Sequence, residues 1–292
     1  MASSYLNIIT FLLTTLFYYL AIKPTLTLDK LQGDYKTYKT NNYIFLAIYL
    51  LLVMVIQFLV NASVISTTCG GSVSENMGAA GLFTFIPWTL IFGVVIVILT
   101  VYPGFKSAFS DVIGYYYVST EANDLLSKLL IDANINKAIV GGPSTAATSS
   151  EDKTKLQNAA DLIIKICGNT SILINQMSPN NFLDFWSLLD PLKKPDLQRS
   201  DGVYTDPKTG TTINIKEKLF NLVVSRDNIG EAMWYIYTGL LLTSIVQLKI
   251  TSRGCASSPK TMEQNYKKFQ ENQEKVQKQQ EQSTSTTYTI TN

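Results

Sequence analysis

Histidine is absent from this 292-residue chain, and cysteine occurs only three times. Without an imidazole, serine and cysteine triads lose their usual base. The HExxH metalloprotease motif cannot be written, and zinc loses its commonest nitrogen ligand. Cys69, Cys167 and Cys255 lie far apart, with no CxxC spacing to suggest a metal site or a redox pair. Neither a Walker-type loop nor a GxGxxG is present, so those phosphate cradles are missing too. Asp184 and Asp190 have no partner base, and paired-carboxylate hydrolysis is not supported. No catalytic, cofactor-binding or metal-ligating residue is assigned, and an enzyme is not expected. Net charge is only +2, which gives no electrostatic case for nucleic acid as a specific partner.

What the chain does have is four long apolar runs, at 5–22, 43–60, 79–101 and 232–250, with no charged residue well inside any of them. Each is close to the ~20 residues that cross a hydrocarbon core of ~30 Å. The first run lacks a basic n-region and a small-x-small cleavage site before Lys23-Pro24, so it reads as a retained span rather than a secretory signal. Aromatics gather at the run ends (Tyr18, Tyr19, Tyr43, Trp88, Trp234, Tyr235, Tyr237), as an interfacial belt requires. Pro87 in the third run either kinks that helix or marks its true start.

The expected fold is therefore mainly α: four transmembrane helices with a small, mostly helical extramembrane domain at 103–231, inserted between helices 3 and 4. The intervals 23–42 and 61–78 read as loops. Within 103–231, Ser119-Thr120 can cap a helix with the stripe Leu125, Leu126, Leu129 and Leu130. A second helix is expected over 151–167. A third starts at Ser178-Pro179 and carries Phe182, Phe185, Trp186 and Leu189. Alternating β-branched residues over 202–215 suggest a small hairpin about Asp206-Pro-Lys-Thr-Gly210, and 216–224 a short helix leading into the fourth span. The tail, 251–292, is polar and glutamine-rich. Met262, Phe269 and Val276 recur at the heptad interval in it, a thin stripe that predicts a solvated helix followed by a disordered end.

With four spans, both termini and 61–78 share one side, and 23–42 and 103–231 share the other. The second side has the greater number of lysines and arginines near the spans (Lys23, Lys30, Lys36 and Lys39 among them), which favours a cytosolic middle domain. Cys69 and Cys255 then share a side and could form a disulfide. Gln57 and Gln247 are the polar residues noted within spans, and the expectation is hydrogen bonding between helices rather than a transport path. Tyr115, Tyr116, Phe182, Phe185 and Trp186 form the candidate protein-contact surface.

Several strings carry a resemblance. They are Phe83-Thr-Phe-Ile-Pro-Trp88, Tyr102-Pro-Gly-Phe-Lys-Ser-Ala-Phe-Ser-Asp-Val-Ile-Gly-Tyr115, Ile174-Asn-Gln-Met-Ser-Pro-Asn-Asn-Phe182 and Arg226-Asp-Asn-Ile-Gly-Glu-Ala-Met-Trp-Tyr235, with Thr238-Gly239 following. Together they resemble a family of multi-span membrane proteins, some counted as minor capsid proteins, of large nucleocytoplasmic icosahedral DNA viruses. That resemblance implies a structural virion component in the inner membrane beneath the capsid, made on a host intracellular membrane. It implies capsid proteins and other virion membrane proteins as partners besides the lipid bilayer, and no cofactor. A small channel or transporter and a membrane assembly factor absent from the finished particle are the alternative readings.

Overall fold

In the computed structural model, which describes residues 2–69, 72–130, 170–207, 210–252 and 259–284, four helical segments are long and apolar enough to cross a membrane. They are Tyr5–Ile22, Tyr35–Cys69, Val73–Val101 and Ile215–Ser252. The chain fits a multi-pass membrane protein. The expected helix at 151–167, Cys167 and Cys255 lie outside the described residues, as does the chain end from 285 onward.

Helix α1 (Ala2–Phe17) runs into a π-helical turn, Tyr18–Ile22. After α2 (Leu28–Gly33), helix α3 runs unbroken from Tyr35 to Cys69, well beyond the expected 43–60. Hydropathy detects only the stretch able to sit in hydrocarbon, whereas helical hydrogen bonds propagate through the polar flanks at little cost. The predicted loops at 23–42 and 61–78 are therefore largely helical. Helix α4 (Val73–Pro87) also starts before the expected 79, at a capping box: Ser72 Oγ accepts from the Glu75 N–H (3.3 Å) and Glu75 Oε2 from the Ser72 N–H (3.2 Å). Pro87 ends α4 but lies inside the longer helical segment Val73–Val101, so it does not mark the start of the third span. Proline removes a backbone donor and crowds the preceding turn; the helix nevertheless continues through it, as a π turn over Trp88–Gly93 and then α5 (Val94–Val101).

Beyond the third span, a 3₁₀ turn (Pro103–Lys106), α6 (Ser107–Phe109) and a π turn (Ser110–Gly114) lead into α7 (Tyr115–Leu129). Ser119-Thr120 thus lies inside a helix instead of capping one, because Val118 and Ala122 extend the buried stripe of Leu125, Leu126 and Leu129 toward the N-terminus. Then follow α8 (Thr170–Gln176), α9 (Phe182–Leu188) and α10 (Pro195–Arg199). Helix α9 begins four residues after the expected cap. The Asn181 side chain closes the turn before it, Oδ1 accepting from the Ser178 N–H (2.7 Å) and Nδ2 donating to the Gln176 carbonyl (3.0 Å). The hairpin forms as expected: β1 (Val203–Thr205) pairs antiparallel with β2 (Thr212–Asn214), with Tyr204 opposite Ile213. The anticipated short helix and fourth span are one element, the 38-residue α11 (Ile215–Ser252). Helix α12 (Pro259–Thr284) leaves Tyr266, Phe269 and Val276 exposed.

Three apolar clusters share α11: two large interiors, and a small one in which Val246 and Ile250 meet Ala62, Val64, Ile65 and Ala80. The bundle interior is aromatic, with Phe11, Tyr18, Tyr49, Trp88, Phe92 and Tyr235 all fully buried. Tyr18 stacks on Tyr49 at 4.3 Å between ring centroids, and Tyr49 and Phe92 both contact Tyr235. The bundle exterior is aliphatic, with Leu13, Leu51, Leu59, Leu90 and Val97 exposed. A belt of that kind on a water-soluble chain would aggregate; lipid is its natural solvent. The second interior joins Leu125, Leu126, Leu129, Leu173, Ile174, Phe182 and Trp186 to Leu219, Phe220 and Val223 of α11. It also takes Leu26 and Leu28 from the predicted first loop, so it is not built from 103–231 alone.

Candidate functional site

The two interiors meet at a neck that holds a buried ion cluster. Lys23 directly follows the π turn that ends the first span, and its N–H bonds the Tyr18 carbonyl (2.8 Å). Lys106 closes the 3₁₀ turn after the third span, and Asp227 and Glu231 lie one helical turn apart on α11. Lys23 Nζ donates to Glu231 Oε1 (2.5 Å). Lys106 Nζ bridges Asp227 Oδ2 (2.9 Å) and Glu231 Oε2 (2.7 Å). The Tyr19 hydroxyl adds a third bond to Glu231 (3.1 Å). Two ammoniums against two carboxylates leave the group neutral, and the Lys23 and Glu231 side chains are only 7% and 6% exposed.

Burial draws the Lys23 ammonium below the ordinary lysine range, opposed by the Glu231 charge. Burial acts on Lys106 in the same direction, but there the charges of Glu231 and Asp227 outweigh it and hold the group above the ordinary range. Directly before Asp227 on α11, Arg226 fastens α8. Its Nη1 donates to the Ile174 carbonyl and to Asn175 Oδ1 (3.0 Å), its Nη2 to the Met177 carbonyl (2.5 Å), and Asp111 Oδ1 lies 3.8 Å away.

Close backbone approach makes this possible. A Cβ on Gly114 would lie 2.6 Å from the Arg226 carbonyl oxygen, and one on Gly230 would lie 2.6 Å from Ser110 Cβ. Only hydrogen fits at either crossing, so the segment carrying Lys106 and Asp111 lies flush on α11. Here three of the resembling strings, 102–115, 174–182 and 226–235, come together in space.

A second polar cluster ties the far half of the bundle. Asn7 Nδ2 donates to Asn61 Oδ1 (2.9 Å) and Gln247 Oε1 (3.1 Å), while Asn61 Nδ2 donates to Thr84 Oγ1 (2.8 Å). Gln57 Nε2 donates to the Asn7 carbonyl (3.1 Å). Each of the four apolar segments contributes to this cluster. The sequence marks Gln57 and Gln247 as polar residues within spans; Asn7 carries no such mark, and Asn61, expected at the start of a loop, lies inside α3.

The candidate contact surface divides. Tyr116 is 85% exposed, whereas Tyr115 and Phe185 are half-buried against the second interior. Phe182 and Trp186 are buried within it, which removes them from any surface. Trp186 is held on several sides: its Nε1 donates to Asp201 Oδ1 (2.9 Å), and Lys193 Nζ sits 3.7 Å from its ring centroid. Gly202, at φ 89°, allows the contact, since a Cβ there would lie 2.8 Å from the indole. Cys69 is disulfide-bonded, and Cys255 lies outside the described residues.

The ion cluster was missed because its members look like ordinary flanking charges. A signal was nevertheless present. Lys23, Lys106 and the pair Asp227 and Glu231 abut three span ends on the same side of a four-span topology, with opposite signs. No protein-family model, no curated protein and no solved structure matches this chain.

Proposed function

We propose that this chain is a structural integral membrane protein whose 103–231 region stands outside the bilayer, rigidly mounted on the four spans to hold a partner layer at a fixed position. The supporting observation is α11. At ~1.5 Å per residue its 38 residues run ~57 Å, with Ile215, Leu219, Phe220 and Val223 buried in the second interior, Tyr235 and Leu242 in the bundle, and a buried ion cluster between them. A head mounted this way has little orientational freedom to lose when it binds. Repeated copies in a shell would add multivalency, so weak single contacts would suffice.

The resembling strings extend the proposal to a setting: the inner membrane of a large DNA virus particle, with the capsid shell as the partner layer. Three of those strings supply the neck, which is what an anchoring role would need to preserve. The amide cluster of the bundle fits holding better than transport, because its amides largely bond one another across the helices.

Crosslinking with mass spectrometry on purified particles tests the setting. Links from Lys194 or Lys216 to capsid proteins are the expected result. Presence in particles with links only to core or genome-associated proteins would invert the topology and end the capsid role. Absence from particles would move the function to an assembly factor.

A further inference from the structure

Beside the neck lies a cavity of about 270 Å³, between the N-terminal part of α3, the turn that follows α5 and the 175–180 segment. Its floor is Leu46, Leu99 and Thr100 from the apolar helices, and its roof is Ser178, Pro179 and Asn180. The Tyr35 hydroxyl donates to Asn180 Oδ1 and closes one wall. Lys39 and Leu46, both lining residues of one helix, stand ~10 Å apart along its axis at ~1.5 Å per residue. That is comparable to the ~5–8 Å headgroup layer of one leaflet.

The charged lining residues are Lys23, Lys39, Lys106, Arg226, Asp111, Asp227 and Glu231. Lys23 and Lys106 are matched by Glu231 and Asp227, and Arg226 by Asp111 at 3.8 Å. Lys39 remains. Among the described residues it has no carboxylate partner; its Nζ rests 5.8 Å from the Tyr35 ring centroid. The wall also offers the hydroxyls of Tyr38 and Ser178, neither of which is hydrogen-bonded among the described residues. The pocket therefore presents one uncompensated positive charge with spare donors around it, above an apolar floor.

We propose that this cavity binds a phosphodiester monoanion, the chemistry shared by an anionic phospholipid headgroup and a soluble glycerophosphodiester, with Lys39 as its counter-charge. A single negative charge matches the single unpaired lysine, and donor hydroxyls suit phosphate oxygens. The lipid source rests on the reading that the neck lies at headgroup depth; the pocket chemistry does not.

The test uses the purified full chain in a neutral detergent, with native mass spectrometry and thermal shift as readouts. The probes are phosphatidylglycerol and its chain-free headgroup, glycerophosphoglycerol. The variants are Lys39→Glu and Lys36→Glu, both exposed lysines of the same helix, of which only Lys39 lines the pocket. Binding of one equivalent of lipid, weakened at least 10-fold by Lys39→Glu and unchanged by Lys36→Glu, is expected. Saturable binding of the chain-free headgroup, with the same Lys39 dependence, supports the pocket without any bilayer and assigns it a soluble source if the lipid adds nothing. Equal weakening by both variants would reduce the effect to diffuse surface attraction and overturn the proposal. So would unaltered binding by Lys39→Glu, or no binding of either probe to the wild-type chain.

Discussion

Replacing Glu231 with glutamine keeps the side chain's shape and removes one charge from the neck. Lys106 retains Asp227 at 2.9 Å, but Lys23 loses the carboxylate at 2.5 Å that is its ion-pair partner. The cluster then carries a net positive charge in a site where Lys23 is only 7% exposed. Breaking a buried pair from one side costs about 3–5 kcal/mol, because a desolvated charge is left without compensation. For a chain of this size each kcal/mol moves Tm by about 2–4 °C, so the expected fall is on the order of 6–20 °C. Lys23→Met alone unbalances the cluster in the opposite sense, leaving Lys106 against two carboxylates. Combined with Glu231→Gln, it restores neutrality, with Lys106 and Asp227 still paired. The double variant should therefore be more stable than the sum of the two single losses predicts, by about 1–3 kcal/mol. Thermal unfolding of the wild type, both single variants and the double variant in the same detergent measures this cycle. A Tm within 2 °C of wild type for Glu231→Gln would refute the reasoning, as would strictly additive losses.

The bundle and the head offer further checks. A Cβ on Gly239 would come within 2.0 Å of the Phe11 ring, itself packed against Trp88 and Phe92, so Gly239→Ala should cost about 1–3 kcal/mol in thermal unfolding. Phe11→Leu should recover part of that loss, while Gly78→Ala, with open space around it, should be neutral or stabilising. Asn61→Leu breaks hydrogen bonds to Asn7 and Thr84, and a loss of about 0.6–2 kcal/mol per bond should appear in the same assay. Burial alone would raise the Asp201 carboxyl, but hydrogen bonds from Lys216 and Trp186 outweigh it and hold the group below the ordinary range. A lowered folded-state value stabilises above the unfolded value of about 3.9 and is lost as pH falls through the folded one. Acidification through that folded value, which lies below the unfolded ~3.9, should therefore weaken the bond from the Trp186 indole N–H, read by its NMR resonance. Asp201→Asn should abolish that pH dependence.

The existence of four spans was legible in the sequence because hydrophobicity is a local sum: each run carries its own transfer free energy whatever it packs against. The hairpin was legible for a similar reason, since turn residues and strand alternation act within a few residues of one another. The ends of the helices were less so. The flanks 35–42 and 61–69 have no apolar signature, and their helical state follows from continuation of α3. Phe182 and Trp186 show the limit for single side chains. An aromatic pair at helical spacing suits a docking face and an interior equally well, and only the presence of Phe220 at 5.0 Å from Phe182 and of Asp201 at the indole N–H decides for the interior.

The polar sites lie at the far end of that scale. The sequence by itself determined how many apolar segments there are, which residues flank them and that no histidine chemistry is available. Tertiary structure alone decided that Lys23 meets Glu231 across 208 positions and that Asn7 meets Gln247 across 240. Such pairings depend on how helices rotate and cross, which is set by contacts such as Gly114 on Arg226 and Gly230 on Ser110. A charge beside a span end looks the same in the sequence whether it points to water or to a buried partner, and packing makes the choice.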